Sequence, residues 1–181
     1  MNSAVSLIAE TGIAGLSMSK LAKASGVPQS TIYVYFESKE DLLRQIYLYC
    51  IDKMNTTVMN GFDDTKSVKD CLWDYCLRFV EYMKSSTDAF IVYEQFLSSP
   101  ISRSLELENV VDAFKPMYGF VERAQRDGFI KTTLHPIVVL SYFTLPLAGI
   151  IKGEIIWDNP SGKYVYGLLF EASWDAVRVH K

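Results

Sequence analysis

The chain has 181 residues, about half of them apolar, and a formal net charge of −3. It can therefore bury a real core in one or two domains, but it has no whole-protein basic field, which excludes a histone-like or coat-like polyanion binder. Any hold on phosphate has to come from a local arrangement.

Taken in chain order, apolar residues recur at helical spacing nearly everywhere and no segment alternates with period two, so the fold is expected to be all-α. The N-terminal "MNSAVSLIAETG" lacks a signal-peptide pattern and starts a helix over about residues 2–11. Ser17 can cap a second helix at 18–25, which Gly26 can close in the left-handed conformation. A third helix follows only a few residues later, at 29–36. Two short helices joined by a glycine turn form a helix-turn-helix, whose second helix is free to enter a major groove.

Within that third helix the spacing turns Val27, Ile32 and Phe36 inward, with Leu21, Ala22 and Ile8 as partners. Gln29, Ser30, Thr31, Tyr33 and Tyr35 are left outward. The Gln29 amide can donate and accept together at a base edge, and the hydroxyls of Thr31 and Tyr33 suit phosphate or base acceptors. Ser38, with Asp41 three residues on, starts a fourth helix from 39 to about 59, and Lys39 in its first turn lies beside free N–H groups that welcome an anion.

"GFDDTK" breaks the pattern, and longer helices with broad apolar faces follow. One carries Val68, Cys71, Leu72, Tyr75, Phe79, Tyr82 and Met83. Another carries Leu107, Val110, Val111, Phe114, Met117, Tyr118 and Val121, with Pro116 expected to bend it. Between them "TDAFIVYEQFLSSP" is a short helix, apolar almost all round. The run Ile137 to Ile151 is fifteen residues, contains Pro146 and falls short of the ~20 a membrane span needs, so a buried helix at about 135–152 is expected. A last helix occupies about 163–179. Cys50, Cys71 and Cys76 lack CxxC spacing, and His135 and His180 stand apart, so no disulfide framework, zinc site or other cofactor is expected. The two histidines are a poor catalytic supply, which disfavours a helical enzyme.

"LIAETGIAGLSMSKLAKASGVPQSTIYVYFESKEDLL" resembles the N-terminal DNA-binding domain of the TetR family of transcriptional regulators, over about the first 45 residues. Many ordered positions agree at fixed spacing, with Pro28 standing where the family often has Ser or Thr. The resemblance implies a homodimeric, all-α repressor, and the lack of a signal-peptide pattern makes a cytoplasmic protein the expectation. A three-helix helix-turn-helix DNA-binding domain (1–45) would precede a larger helical effector-binding and dimerisation domain (46–181). It makes Gln29, Ser30, Thr31, Tyr33 and Tyr35 the base and phosphate contacts, Lys39 a phosphate clamp, and Ser17 and Ser19 contacts to the DNA backbone.

In the resembled family the last two helices build a dimeric four-helix bundle, and here Tyr142, Leu145, Ile150, Trp157, Tyr164, Leu168, Phe170 and Trp174 supply the apolar surface. Trp73, Tyr93, Phe96, Phe114, Tyr118 and Phe143 are candidates for an effector pocket, since such pockets are mostly apolar. Glu94, interrupting "AFIVYEQFL", is the candidate polar fixing group. Plain core packing of the aromatics, and a solvated Glu94, are the competing readings. The whole-protein rival is a helical ligand-binding or interaction module without operator-specific DNA binding; residues 1–50 balance Lys20, Lys23, Lys39 and Arg44 against Glu10, Glu37, Glu40 and Asp41.

Overall fold

The computed structural model describes residues 1–104, 112 and 114–180. In chain order its helices are α1 (Asn2–Gly15), α2 (Met18–Ser25), α3 (Gln29–Tyr35), α4 (Lys39–Met59), α5 (Val68–Ser85), α6 (Thr87–Leu97), a 3-10 turn at Pro100–Ser104, α7 (Lys115–Arg126), α8 (Pro136–Trp157) and α9 (Gly162–Val177). Among the described residues the β structure is one isolated antiparallel bridge, Ile130 to Arg178. The fold is all-α, as expected. The chain forms two compact units, Met1–Asn55 with Ser85–Ala113, and Thr56–Lys84 with Phe114–Lys181.

In the first unit α1, α2, α3 and the start of α4 close on a core of Ala4, Val5, Ile8, Leu16, Met18, Leu21, Ile32, Leu42, Leu43 and Ile46, which Val92 of α6 completes. Helix α1 runs past the expected end at residue 11 because it kinks rather than stops. Gly12 takes φ 73°, which only glycine adopts freely, and the Ile13 N–H, left without its helical acceptor, donates to Gln95 Oε1 of α6 at 2.9 Å. Ser6 Oγ donates to Asp88 Oδ2 at 2.9 Å. Helix α6 is thus tied along α1.

In the second unit α5, α7, α8 and α9 bury Leu72, Tyr75, Phe79, Met117, Val121, Val139, Leu140, Phe143 and Phe170, among others. Pro116 does not bend a helix: it occupies the first turn of α7, where its missing N–H costs nothing. Leu107, Val110 and Val111, assigned to the same helix from the sequence, lie outside the described residues. Helix α8 is 22 residues, longer than the fifteen-residue apolar run, and by length and composition alone could cross a membrane. One face of it, from Val139 through Leu147 to Ile151, is buried in the protein. Pro146 leaves the Tyr142 carbonyl, four residues back, without its helical donor. The Ser173 hydroxyl of α9 supplies one at 2.5 Å, from a buried position.

The second unit also holds a buried carboxylate. Glu154 is 7% exposed, and accepts from Lys84 Nζ at 2.8 Å, Tyr166 OH at 2.6 Å and the Ser161 N–H at 2.8 Å. Burial alone would raise its pKa. The Lys84, Tyr166 and Ser161 hydrogen bonds outweigh burial and hold the carboxyl below its ordinary value. Glu94, the acid singled out in the sequence, is only half-buried.

Candidate nucleic-acid interface

Local chemistry sets the geometry of α2 and α3. Ser17 caps α2 by accepting from the Lys20 N–H at 3.2 Å, and Gly26 ends it at φ 68°, a left-handed conformation with open space around it. Pro28 then opens α3, its fixed φ of −55° suiting the entry to a helix. Helix α3 has seven residues, one fewer than the spacing suggested, because Phe36 leaves it in an extended conformation.

Ile32 anchors α3 in the core and Phe36 packs partly against it. Val27 does not turn inward as expected. It is 36% exposed, because it lies in the turn between Gly26 and Pro28 where helical spacing no longer governs direction. It reaches the rim of a cavity of about 200 Å³ lined also by Leu21, Thr31, Ile32, Tyr35 and Phe36.

Gln29, Ser30, Thr31, Tyr33 and Tyr35 are all exposed, with Tyr33 at 52% and Tyr35 at 70%. Between the two tyrosines stands Val34 at 78%, the most exposed of the three and not among the contacts expected from the sequence. Its position opposite Ile32 on a 3.6-residue wheel was the available signal.

Helix α4 is capped as expected. Ser38 Oγ accepts from the Asp41 N–H at 3.0 Å, and Asp41 Oδ2 accepts in turn from the Glu37 N–H at 3.1 Å. Lys39 Nζ donates to the Ala14 carbonyl at 3.5 Å, a long contact that leaves it available. Lys20 Nζ donates to the adjacent Gly15 carbonyl at 2.9 Å. Two ammonium groups therefore gather at the C-terminal end of α1. Lys20 was absent from the predicted contacts. Ser17 is half-buried and engaged in its cap, whereas Ser19 is exposed.

This arrangement has known counterparts. Residues 1–46 match the model of bacterial regulatory proteins of the tetR family. Over these first 46 residues the chain is similar to tetR-family regulators. Similar to it are an HTH-type transcriptional regulator of Haemophilus influenzae, 42% identical over 60 residues (33% of this chain, 32% of that protein), and the biofilm operon icaADBC HTH-type negative transcriptional regulator IcaR of Staphylococcus aureus, 24% identical over 80 residues (44% and 43%). The matched segments thus span less than half the length of these curated relatives. Across the whole chain, the tetR-family fold appears in a transcriptional regulator structure from Vibrio parahaemolyticus, with a TM-score of 0.82, 24% identity and 99% and 96% of the two chains covered. A second, from Marinobacter aquaeolei, gives 0.81 at 22% identity, covering 99% and 93%.

The seven effector candidates fall into separate groups. In the first unit Phe96 is buried with its ring stacked on Tyr47 at 4.0 Å between centroids, and Tyr93 also stacks on Tyr47, at 6.2 Å. Glu94 lies beside them in sequence on α6. In the second unit Phe114 stacks on Tyr118 at 6.2 Å, while Phe143 and Trp73 meet through Phe170. The buried Tyr118 hydroxyl has no hydrogen-bond partner among the described residues, and burial pushes its pKa up, so it remains a neutral donor. A groove of about 400 Å³ beside Trp73 is lined by Tyr164, Leu168 and Phe170 and edged by the Lys69–Glu171 ion pair at 2.8 Å. The three cysteines are buried, and burial raises each thiol, Cys50 to about 11, so none is a ready thiolate.

Proposed function

We propose that this chain is a cytoplasmic DNA-binding transcriptional repressor that acts as a homodimer and leaves its operator when a small molecule binds. The observation that carries the reading is the exposed face of α3, where Gln29, Ser30, Thr31, Tyr33 and Tyr35 stand clear of the core after a left-handed glycine turn. Lys39 serves as the phosphate clamp, and Ser19 and Ser17 at the start of α2 touch the DNA backbone. Lys20, beside Lys39, adds a second phosphate contact.

The dimer is read from α8 and α9. Val138, Tyr142, Leu145 and Ile156 are exposed along α8 at spacings of four, three and eleven, each a whole number of turns to within a residue, which puts them in one stripe. Gly149 continues the stripe with open space where a side chain would stand. Trp157, Tyr164 and Leu168 extend the apolar surface onto the turn and α9. Phe170, counted with them from the sequence, is instead buried against Trp73 and Phe143. A dimer paired through this surface carries two α3 helices, one for each half of a palindromic site.

Two features support effector control. Helix α6 is hydrogen-bonded to the kink of α1 through Gln95 and carries Tyr93, Glu94 and Phe96, so a ligand that moved α6 would pull on the helix that frames the reading head. The unpaired Tyr118 phenol is a donor to which a ligand acceptor would bind. Trp73, Phe114 and Phe143 are, with Tyr118, the candidate effector contacts of the second unit. The ligand must bind the DNA-free form more tightly for release to follow.

The test is capture of genomic fragments from the source organism by the full chain, followed by a salt titration of the recovered sequences. Retention of a defined palindromic sequence at moderate salt is expected. Capture without sequence preference would leave the chain as a helical binding module, and would overturn the repressor reading.

A further inference from the structure

Tyr33, Val34 and Tyr35 form a run of three exposed apolar side chains on a seven-residue helix. Such a run is a defect in a soluble protein unless something covers it in function. Both tyrosines carry a hydroxyl that can meet phosphate or a base edge. Val34 carries none. It can neither donate nor accept, and a β-branched residue on an exposed helical face lowers helix propensity. Local stability therefore gives no reason for valine at this position.

Its direction is set by Ile32. With ~100° between successive residues, Val34 and Ser30 each stand about 160° round the helix from Ile32 and within about 40° of one another. They form the ridge of α3 that points most directly away from the core. Thr31 and Tyr35 lie to one side, where both line the cavity over Ile32 and Phe36. If α3 enters a major groove, Val34 is the side chain that leads.

We infer that Val34 is a specificity-determining residue that reads thymine through its 5-methyl group. This rests on the DNA-binding reading above. The base edges of unmodified DNA show donors and acceptors to the major groove, and the thymine methyl is the single apolar group among them. A valine at the crest of a recognition helix has that one complement. Ser30, one turn earlier on the same ridge, has a hydroxyl that can bond the adjacent polar edge, so the pair selects an A·T base pair in each half-site.

The experiment begins with selection of preferred sites from a random duplex library by the full-length chain. The selected duplex is then resynthesised with each thymine replaced in turn by deoxyuridine, which removes only the methyl, and affinities are measured at fixed salt. One position per half-site should weaken the wild type roughly three- to tenfold, the range expected for one or two lost methyl contacts. Val34→Ala should bind the thymine and uracil duplexes within about twofold of each other, on the order of measurement error and far less than the lost contact. Val34→Ile, still apolar, should keep the discrimination. Thermal melts of both variants serve as the folding control. A selected site at which no uracil replacement weakens the wild type, or at which Val34→Ala discriminates as strongly as the wild type, overturns the inference while leaving DNA binding intact. A selection that returns no preferred sequence overturns both.

Discussion

Both α3 and the α8–α9 surface expose apolar side chains, yet their companions differ. Around α3, Tyr33, Val34 and Tyr35 alternate with the amide and hydroxyls of Gln29, Ser30 and Thr31, and the same unit holds the ammonium groups of Lys20 and Lys39 at the end of α1. On α8 the exposed stripe from Val138 to Ile156 shows almost no hydrogen-bonding group apart from Tyr142 and Lys152. A surface that mixes apolar and polar groups beside cations suits a polyanion with an informative groove. A dry stripe suits another protein surface. Exposed apolar area therefore identifies a partner only when its polar neighbours are considered with it.

The largest expected effect tests the dry stripe. Leu145→Glu places a charge in the proposed interface. Sedimentation should show a monomer, and operator affinity should fall by roughly a hundredfold or more, since one half-site then binds alone. If Leu145→Glu stays dimeric, the α8–α9 assignment is wrong.

Next come the polar companions on the DNA side. Lys39→Ala should weaken operator binding by about tenfold at low salt and shallow its salt dependence by about one ion per half-site, whereas Tyr33→Phe should cost about fivefold with the slope unchanged. Fluorescence anisotropy over a salt series separates the two effects. Unchanged affinity in both variants would remove these residues from the interface.

A smaller effect tests the frame that holds α8 and α9 together. The Glu154 carboxyl is held below its ordinary value of 4.5, so its stabilisation is complete above the unfolded pKa and is lost as pH falls through the folded one. Glu154→Gln should cost about 2 kcal/mol at neutral pH, because Lys84 loses its charge partner and an amide mismatches the Ser161 N–H and Tyr166 donors. The difference from wild type should shrink as pH falls below the ordinary value of 4.5. Denaturant unfolding at several pH values measures it; a pH-independent difference would show that the carboxylate charge plays no part. Ser173→Ala, which orphans the Tyr142 carbonyl behind Pro146, should cost about 1 kcal/mol in the same assay.

The parts of this account that were legible in the sequence are local ones. Ser17, Gly26 and Ser38 act through their own helix ends, so their chemistry announces α2, α3 and α4 without knowledge of the rest. Ile32 follows from the same short-range periodicity. Val27 misled because a turn residue has no wheel, and Pro116 because the start of α7 is not marked by a capping side chain. Glu154 was hidden among the residues that close α8. Only the fold brings Lys84 and Tyr166 to it, from positions 70 and 12 residues away. Phe170 was placed on the surface for the opposite reason, since Trp73 and Phe143 cover it from other helices. Val34 was overlooked because residue chemistry drew attention to hydroxyls and amides, whereas its significance lies in being exposed without either.

The central claim is that the mixed face of α3 reads a DNA sequence. Its most direct measurement is the ratio of affinities of the full-length chain for its selected duplex and for a scrambled duplex of equal length, at about 0.15 M salt. Sequence reading by α3 requires a ratio of at least roughly 10³. A ratio near one, with both affinities falling together as salt rises, would contradict it.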